Sequence, residues 1–281
     1  MAKLLPPPYS DIEDLVRIER LPTIWCPGCG IGIVFKTLLR ALKDSGIDIN
    51  KHVIVSGIGC SGRFAGYVRL DSYHVLHGRA IPFAIGLKLA KPDLVVTIVS
   101  GDGDIVGIGG NHFIHAARRN HDINVIVINN LNYGMTGGQL APTTPHGART
   151  ATTPFGNIEY PTNIPLLAVA AGATYVARWT VLHVKQMYNS FLKMLRHRGF
   201  DVVEILSPCT VYASRNSMEL IELYELLRRK SRVVENPDPR DAELDLQGGK
   251  PIILGEFAYV EKPTYEDSYR ALLERVGGGK K

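Results

Sequence analysis

Residues 94–104 read Leu-Val-Val-Thr-Ile-Val-Ser-Gly-Asp-Gly-Asp. The run from Leu94 to Val99 is apolar, rich in β-branched residues and ended by Ser-Gly, which is typical of a parallel strand buried on both faces. A second such run, 123–128, is broken by Asn124 and followed by two asparagines. The pattern between them, 107–119, is helical. This stretch therefore predicts a strand, a helix and a strand, with both strands ending at the same edge of the sheet.

The same alternation continues on both sides of this unit. Further strands are predicted at 52–57, 174–177, 202–206 and 251–254, and further helices at 31–45, 79–90, 181–198 and 217–229. The pattern predicts an α/β fold with a doubly wound, mainly parallel sheet. Residues 141–163 are rich in Pro, Thr and Gly and lack periodicity, so we expect a long loop that covers a ligand.

The length and composition favour one large domain over two small ones. The chain has 281 residues, of which 45% are hydrophobic, enough for a sizeable core. We predict one domain over 1–230. Residues 231–281 are predicted to form a linker and a C-terminal arm, packed on the core or on a partner subunit, because charges mix with Pro and Gly around 228–250.

The charge pattern argues against nucleic acid and membrane as partners. The net charge is +5, but Lys and Arg are scattered and form no basic helix interleaved with aromatic residues. No apolar run reaches the roughly 18 residues of a membrane span. The start, Met1-Ala2-Lys3 before Pro6 to Pro8, lacks the pattern of a signal peptide. We expect a cytoplasmic protein.

Polar residues follow both strands of the first unit. Asp102 follows one strand, and Asn130 and Asn132 follow the next. Because neighbouring parallel strands border one crevice, we expect these residues to face each other. The Asp102 carboxylate, the Asn130 amide oxygen and the Asn132 carbonyl suit Mg²⁺ shared with a diphosphate. A lone Gly-Asp-Gly is often a plain turn, and the pairing with Asn130 is what favours a metal site.

Four cysteines stand at positions suited to ligation: Cys26, Cys29, Cys60 and Cys209. In a reducing compartment they are better explained as metal ligands or reactive thiols than as disulfides. Four thiolates hold either zinc or a 4Fe-4S cluster. The close pair Cys26 and Cys29, joined by the distant Cys60 and Cys209, favours the cluster. The residues alone do not exclude zinc.

Six motifs, in order, resemble the β subunit of archaeal-type 2-oxoacid:ferredoxin oxidoreductases. They are Trp25-Cys-Pro-Gly-Cys-Gly30, Gly57-Ile-Gly-Cys-Ser61, His77-Gly-Arg79, Gly101-Asp-Gly-Asp104, Asn132-Tyr-Gly-Met-Thr-Gly-Gly-Gln139 and Ser207-Pro-Cys209. The resemblance covers most of 20–230. It implies a pyrophosphate-type domain that binds thiamine diphosphate, with an N-terminal cluster-binding segment.

The resemblance also implies roles for individual residues. All four cysteines would ligate one 4Fe-4S cluster. The cofactor would lie beside five residues: Ile58, Gly59, Cys60, Ser61 and His77. The diphosphate would lie on Gly103 and Asp104, and the loop beyond the metal would present Gly134 and Met135. His77 is predicted to be catalytic. Its alternative is a helix-start residue bonded to backbone, and that of Met135 is core packing.

The implied reaction is oxidative decarboxylation of a 2-oxoacid with coenzyme A to acyl-CoA and CO₂. Electrons would pass from thiamine diphosphate through one cluster to ferredoxin, because the chain lacks a run of four closely spaced cysteines for further clusters. Thiamine enzymes use a glutamate from a second domain, and no motif here supplies it. An α subunit is therefore expected, in a heterodimer or a dimer of heterodimers.

Arg63 is a candidate clamp for a substrate carboxylate, since a guanidinium pairs with one bidentately. It could instead offset cluster charge or bridge subunits. The loop 132–135 looks closer to the 2-oxoglutarate and broad-specificity enzymes than to the pyruvate enzymes.

Two other functions fit part of the pattern. One is a non-redox thiamine-diphosphate decarboxylase or carboligase with structural zinc. The other is a non-catalytic electron-transfer subunit with a vestigial diphosphate motif, against which the intact Asp102 and Asn130 argue.

Overall fold

Eight strands form one sheet in the computed structural model, which describes residues 11–277. The strands are β1 His52–Ser56, β2 Asp71–His74, β3 Val95–Gly101, β4 Ile123–Asn129, β5 Tyr175–Thr180, β6 Phe200–Leu206, β7 Ser231–Val233 and β8 Ile252–Tyr259. Their order is β2-β1-β3-β4-β6-β5-β8-β7. The strands pair in parallel except where β8 runs antiparallel to β5. The predicted mainly parallel α/β fold is confirmed.

Eight α-helices accompany the described strands. They are α1 Ile31–Asp44, α2 Ala80–Ala90, α3 Gly110–Arg119, α4 Ile164–Ala171, α5 Val184–Arg196, α6 Thr210–Arg215, α7 Leu220–Lys230 and α8 Tyr265–Gly277. One hydrophobic core joins α1, α5 and α7 to one face of the sheet, and a second joins α2, α3 and α4 to the other. Helices on both faces bury the central strands, which explains their continuous apolar runs. Within residues 11–277, no helix is both long and apolar enough to cross a bilayer.

Several elements were not predicted, each for a local reason. Strand β2 is a mostly exposed edge strand without apolar alternation. Helix α4 follows Pro161 and is apolar on most sides, so it lacks an amphipathic period. The loop predicted at 141–163 is irregular as expected, and Thr143, Thr144 and Asn157 within it are buried.

The chain after residue 230 is joined to the core by sheet hydrogen bonds. Strand β8 pairs with β5 on one side and β7 on the other. Leu244 and Leu246, in the predicted linker, are buried. The domain boundary at residue 230 stays a prediction. The signal-peptide prediction concerns residues 1–8, which lie outside the described part of the chain.

Candidate active site

The turn after β3 carries Asp102 into the crevice. Asp102 is 1% exposed and precedes a π-helical turn, Gly103–Ile108, which joins the strand to α3. The helix predicted at 107–119 thus begins three residues later, at Gly110. A π-turn widens the backbone locally and occurs often at functional sites.

Three oxygen atoms converge at this turn. Asn130 Oδ1 lies 2.7 Å from the carbonyl oxygen of Asn132 and 3.3 Å from Asp102 Oδ1. Such acceptors repel one another unless a cation lies among them; without one, the Asn130 amide would gain two hydrogen bonds by rotating through 180°. With the amide oxygen of Asn130 facing inward, the predicted magnesium ligands present the donor atoms that this ion prefers.

Burial dominates the electrostatics of Asp102. It raises the pKa of this carboxyl to about 7, although Thr143 Oγ1 donates to Asp102 Oδ2 and nearby backbone amides oppose the shift. A bound divalent cation would favour the ionised form. Thr143 was not predicted as a site residue; the Pro- and Thr-rich loop that carries it was the available signal.

Asp104 ties together the loops after three strands. Its carboxylate accepts from Ile58 N at 3.2 Å, Gly78 N at 2.8 Å and Ser100 Oγ at 2.8 Å. His77 Nδ1 approaches Asp104 Oδ1 to 2.5 Å without hydrogen-bond alignment. Because these donors occupy the Asp104 side chain, only its backbone stays available to a diphosphate. Its predicted role and that of His77 stay predictions.

Tyr133 packs against the start of the π-turn. Its hydroxyl donates to the Gly103 carbonyl at 3.1 Å, and a Cβ at Gly103 would overlap its ring. The ring also meets His77 edge-on, with centroids 6.2 Å apart. Tyr133 was missed as a site residue, although it lies between Asn132 and Gly134 in a motif singled out from the sequence.

All four cysteines line one cavity of about 290 Å³. Cys26 is exposed, Cys29 and Cys60 are half-buried and Cys209 is buried. Burial, together with the neighbouring thiols of Cys209, Cys29 and Cys26, raises the pKa of Cys60 to about 11. Thiols that influence one another in this way face a common space.

Hydrogen bonds fix the segments that present these thiols. Cys29 N donates to Cys26 O at 3.1 Å, which closes the knuckle. Ser207 Oγ donates to Cys29 O at 3.0 Å, and Trp25 Nε1 donates to Cys60 O at 2.8 Å. The knuckle, the turn after β1 and the loop after β6 are therefore bonded to each other.

The four thiols are a donor set that a 4Fe-4S cluster or a zinc ion can use. Among residues 11–277, no three His, Cys, Asp or Glu side chains stand ready to hold one metal ion. Zinc draws its ligands to one point, whereas a 4Fe-4S cluster takes a thiolate at each of its irons and needs them further apart. This statement does not concern the predicted magnesium ligands, because only one of them, Asp102, is a His, Cys, Asp or Glu residue.

The turn Asn130–Asn132 and the cysteine cavity are adjacent. Asn130, Gly134 and Met135 line the cavity together with the cysteines. Cys209 Sγ lies 4.0 Å from Asn132 Oδ1, and a Cβ at Gly134 would lie 3.1 Å from the same sulfur. The two predicted constellations are thus in contact.

The remaining predicted cofactor residues lie around this crevice. Ser61 is buried beside Gly101, where a Cβ would lie 3.1 Å from Ser61 Oγ. Gly59 has φ +109°, a conformation that side chains rarely adopt. Ile58 and Met135 are 38% and 44% exposed, so neither is core packing.

Arg63 does not line the cysteine cavity. It lines a neighbouring cavity of about 390 Å³ with Arg17, Arg20 and His74. Arg17 Nε donates to Val68 O at 2.7 Å and Arg20 Nη1 to Gly66 O at 2.9 Å, so these guanidinium groups are fixed. None of the described residues that line this cavity carries a carboxylate. Arg17 and Arg20 were not predicted as site residues, because nothing in their local sequence links them to Arg63.

Comparisons with known proteins agree with this geometry. Residues 57–205 match the family model "Thiamine pyrophosphate enzyme, C-terminal TPP binding domain". The 2-oxoglutarate synthase subunit KorB of Archaeoglobus fulgidus is 51% identical over 80% of this chain and 84% of its own length. The corresponding Methanocaldococcus jannaschii subunit is 45% identical over 93% of this chain and 96% of its own.

This chain belongs to the family of 2-oxoacid:ferredoxin oxidoreductase β subunits. The 2-oxoacid:ferredoxin oxidoreductase β subunit of Saccharolobus solfataricus is 41% identical over 82% of the chain and 76% of its own length. A solved structure of 2-oxoglutarate:ferredoxin oxidoreductase from Magnetococcus marinus, with 2-oxoglutarate, coenzyme A and succinyl-CoA bound, superposes with a TM-score of 0.84 at 34% identity. The match covers 95% of this chain and 91% of that one.

Membership of the oxidoreductase family confirms the predicted resemblance and enzyme class. The thiamine-binding domain model covers the crevice between the β1 turn and the end of β6, where Asp102 and Asn130 meet. The relatives are named as subunits, in agreement with a multi-subunit enzyme.

Proposed function

We propose that this β subunit binds thiamine diphosphate, Mg²⁺ and one 4Fe-4S cluster in a 2-oxoacid:ferredoxin oxidoreductase. The overall reaction converts a 2-oxoacid, coenzyme A and oxidised ferredoxin to acyl-CoA, CO₂ and reduced ferredoxin. Bound thiamine diphosphate supplies the electron sink for decarboxylation. The observation that carries the proposal is the shared wall at Asn130 and Gly134, with converging oxygens on one side and four thiols on the other.

The residues of this chain would bind and orient. Asp102, Asn130 and the Asn132 carbonyl would hold Mg²⁺, and Asp104 would keep the loops carrying Ile58 and Gly78 in register. With Nδ1 turned to Asp104, His77 has Nε2 left for a ligand. Cys26, Cys29, Cys60 and Cys209 would hold the cluster next to the thiamine site, within a short electron-transfer distance.

The main test is a metal and cofactor analysis of the anaerobic complex, coexpressed with its partner gene. We expect a broad shoulder near roughly 400 nm and about four irons per chain. The Asp102→Asn variant should lose thiamine diphosphate affinity by at least about tenfold while keeping its iron. Zinc in place of iron would favour a decarboxylase or carboligase, and iron without thiamine diphosphate would favour a non-catalytic subunit.

An α subunit is the proposed partner. Four apolar side chains on the loops at the carboxyl edge of the sheet are substantially exposed: Ile58, Leu76, Ile108 and Met135. Together they form an apolar rim around the crevice. Within residues 11–277, no glutamate lines the cysteine cavity. A covering subunit that buries this rim would supply the missing carboxylate and exclude water from the cofactor.

Arg63 is proposed to bind the distal carboxylate of a substrate such as 2-oxoglutarate. Among residues 11–277 the Arg63 side chain has no ion-pair or hydrogen-bond partner, and three arginines and His74 line its cavity. Arg63→Ala should therefore lower kcat/KM for 2-oxoglutarate at least about tenfold more than for pyruvate. Arg69→Ala is the control, because Arg69 is nearby but pairs with Glu19 outside this cavity. Equal losses on both substrates would remove the clamp.

A further inference from the structure

The turn that presents Asn130 and Asn132 is held in an unfavourable conformation. Leu131, between them, has φ +68° and is 5% exposed. A left-handed conformation is unfavourable for a residue that has a side chain. This conformation places the Asn132 carbonyl next to Asn130 Oδ1, so the surrounding contacts must stabilise it.

Asn129 supplies the first of these contacts. It is fully buried at the end of β4, and its Oδ1 accepts from Leu131 N at 3.0 Å. This bond exists only while the amide oxygen, and not the amide nitrogen, faces Leu131. The orientation of the Asn129 amide therefore decides whether the turn is stabilised.

Glu204 sets that orientation. Its Oε1 accepts from Asn129 Nδ2 at 2.7 Å, and an ionised carboxylate accepts hydrogen bonds but cannot donate them. Glu204 Oε2 accepts from Arg178 Nε at 2.6 Å, and Arg178 Nη1 donates to Ala242 O at 2.6 Å. Glu204 on β6 and Arg178 on β5 are register partners in the sheet.

The stability of the fold does not by itself explain the buried Arg178–Glu204 ion pair. Both side chains are 0% exposed, and Arg178 Nη2 has no hydrogen-bond partner among the described residues. Burying an ion pair in this way seldom stabilises a fold relative to apolar residues of similar size. What the pair provides here is a fixed acceptor for Asn129.

We propose that Arg178, Glu204 and Asn129 form a positioning relay that holds the Asn130–Asn132 turn in its metal-binding shape. The inference rests on the proposed magnesium and diphosphate site. None of the three relay side chains is required to touch the cofactor. The relay acts through the Leu131 amide, and its loss should weaken cation binding more than chemistry in the loaded enzyme.

The test uses the complex with its partner, stripped with a chelator and titrated with Mn²⁺ at saturating thiamine diphosphate. Bound Mn²⁺ is counted directly by electron paramagnetic resonance. In Glu204→Gln, the new amide can donate to Asn129 and allow its amide to turn, so the dissociation constant for Mn²⁺ should rise about tenfold or more. At saturating Mn²⁺, kcat should return to within about twofold of wild type.

Glu266→Gln is the matched control. Glu266 is also buried and accepts from a side chain and a backbone amide, His121 Nδ1 at 2.7 Å and Asp122 N at 3.0 Å. These contacts lie at the opposite end of β4. This variant should lose stability with an unchanged Mn²⁺ dissociation constant.

A double variant separates positioning from stability. Arg178→Met with Glu204→Leu removes both charges and should recover the melting temperature lost in Glu204→Gln. It still lacks the acceptor for Asn129, so weak Mn²⁺ binding should persist. Wild-type affinity in either relay variant would overturn the proposal. A wild-type complex without cation-dependent thiamine diphosphate binding would instead overturn the proposed function.

Discussion

Gly134 lies between the turn Asn130–Asn132 and the cysteine cavity. A methyl group there would lie 3.1 Å from Cys209 Sγ and 3.3 Å from Asn130 Nδ2. Both distances are tighter than ordinary van der Waals contact, so one neighbour must move. We expect Gly134→Ala to weaken Mg²⁺-dependent thiamine diphosphate binding and to lower the iron content, each about two- to tenfold.

The matched control is Gly86→Ala in α2, where a Cβ meets nothing within 4 Å. Alanine there should raise the free energy of unfolding by up to about 1 kcal/mol without affecting either site. Titration of the two purified complexes and iron analysis distinguish them. Full cofactor affinity and iron content in Gly134→Ala would show that a methyl group fits between Cys209 and Asn130 without disturbing either site.

At this scale the sequence predicts residues that stand in motifs and misses those brought in by tertiary contacts. Asp102 and Asn130 follow neighbouring strands, so their meeting follows from the topology of parallel sheets. Thr143 reaches Asp102 from a long loop without periodicity. Glu204 and Arg178 stand in strands that read as ordinary buried segments, because cross-strand register is not visible in a single strand.

A buried carboxyl, that of Glu266, is one of the groups that attach the C-terminal helix α8 to the core. Burial opposes ionisation of Glu266, but the bonds from His121 and the Asp122 amide outweigh it and leave the pKa below its usual 4.5. Because the folded-state pKa is the lower one, ionised Glu266 contributes fully above pH 4.5, and its contribution is lost as the pH falls through the folded value.

Hydrogen exchange followed against pH measures this attachment. Protection of the α8 amides should fall on acidification below pH 4.5 before that of β4 does. In Glu266→Gln the protection should be lower at neutral pH and should lack this acid step. An identical acid step in the variant would assign it to other carboxyls.

Among the elements, those with strong periodicity or continuous apolar runs were predicted, and those defined by tertiary pairing were not. Helices α1 and α5 begin and end within a few residues of their predicted bounds. Strand β7 has three residues, too few for a pattern, and exists because β8 pairs beside it. The C-terminal arm was predicted to pack on the core or on a partner subunit, but its antiparallel pairing with β5 was not predicted, because that pairing depends on a distant partner.

For the whole molecule, the apolar rim around the crevice predicts where the partner subunit binds. Leu76 is 76% exposed and lies in the loop after β2. Replacing it with glutamate should shift the coexpressed complex towards the free β subunit in size-exclusion chromatography, because a charge in an interface core is costly. Leu89→Glu is the control, since Leu89 is 41% exposed near the far end of α2. An intact Leu76→Glu complex would move the interface elsewhere.

The fold class, the two constellations and their proximity were thus expected from the sequence, while the conformation of the segment that joins them was not. Their contact depends on how the loop after β4 turns, and that turn is set by Leu131, Asn129 and residues on two other strands. Conformational constraints of this kind come from the assembled sheet.

The segment from Asn130 to Gly134 borders both the group of converging oxygen atoms beside Asp102 and the cysteine cavity. On the proposed function, whatever orders this segment for one occupant also prepares it for the other, and thermodynamic linkage makes such cooperation mutual. Oxidative loss of the inorganic centre would therefore loosen the organic cofactor as well. Inactivation by air and release of thiamine diphosphate would then both result from the loss of the cluster.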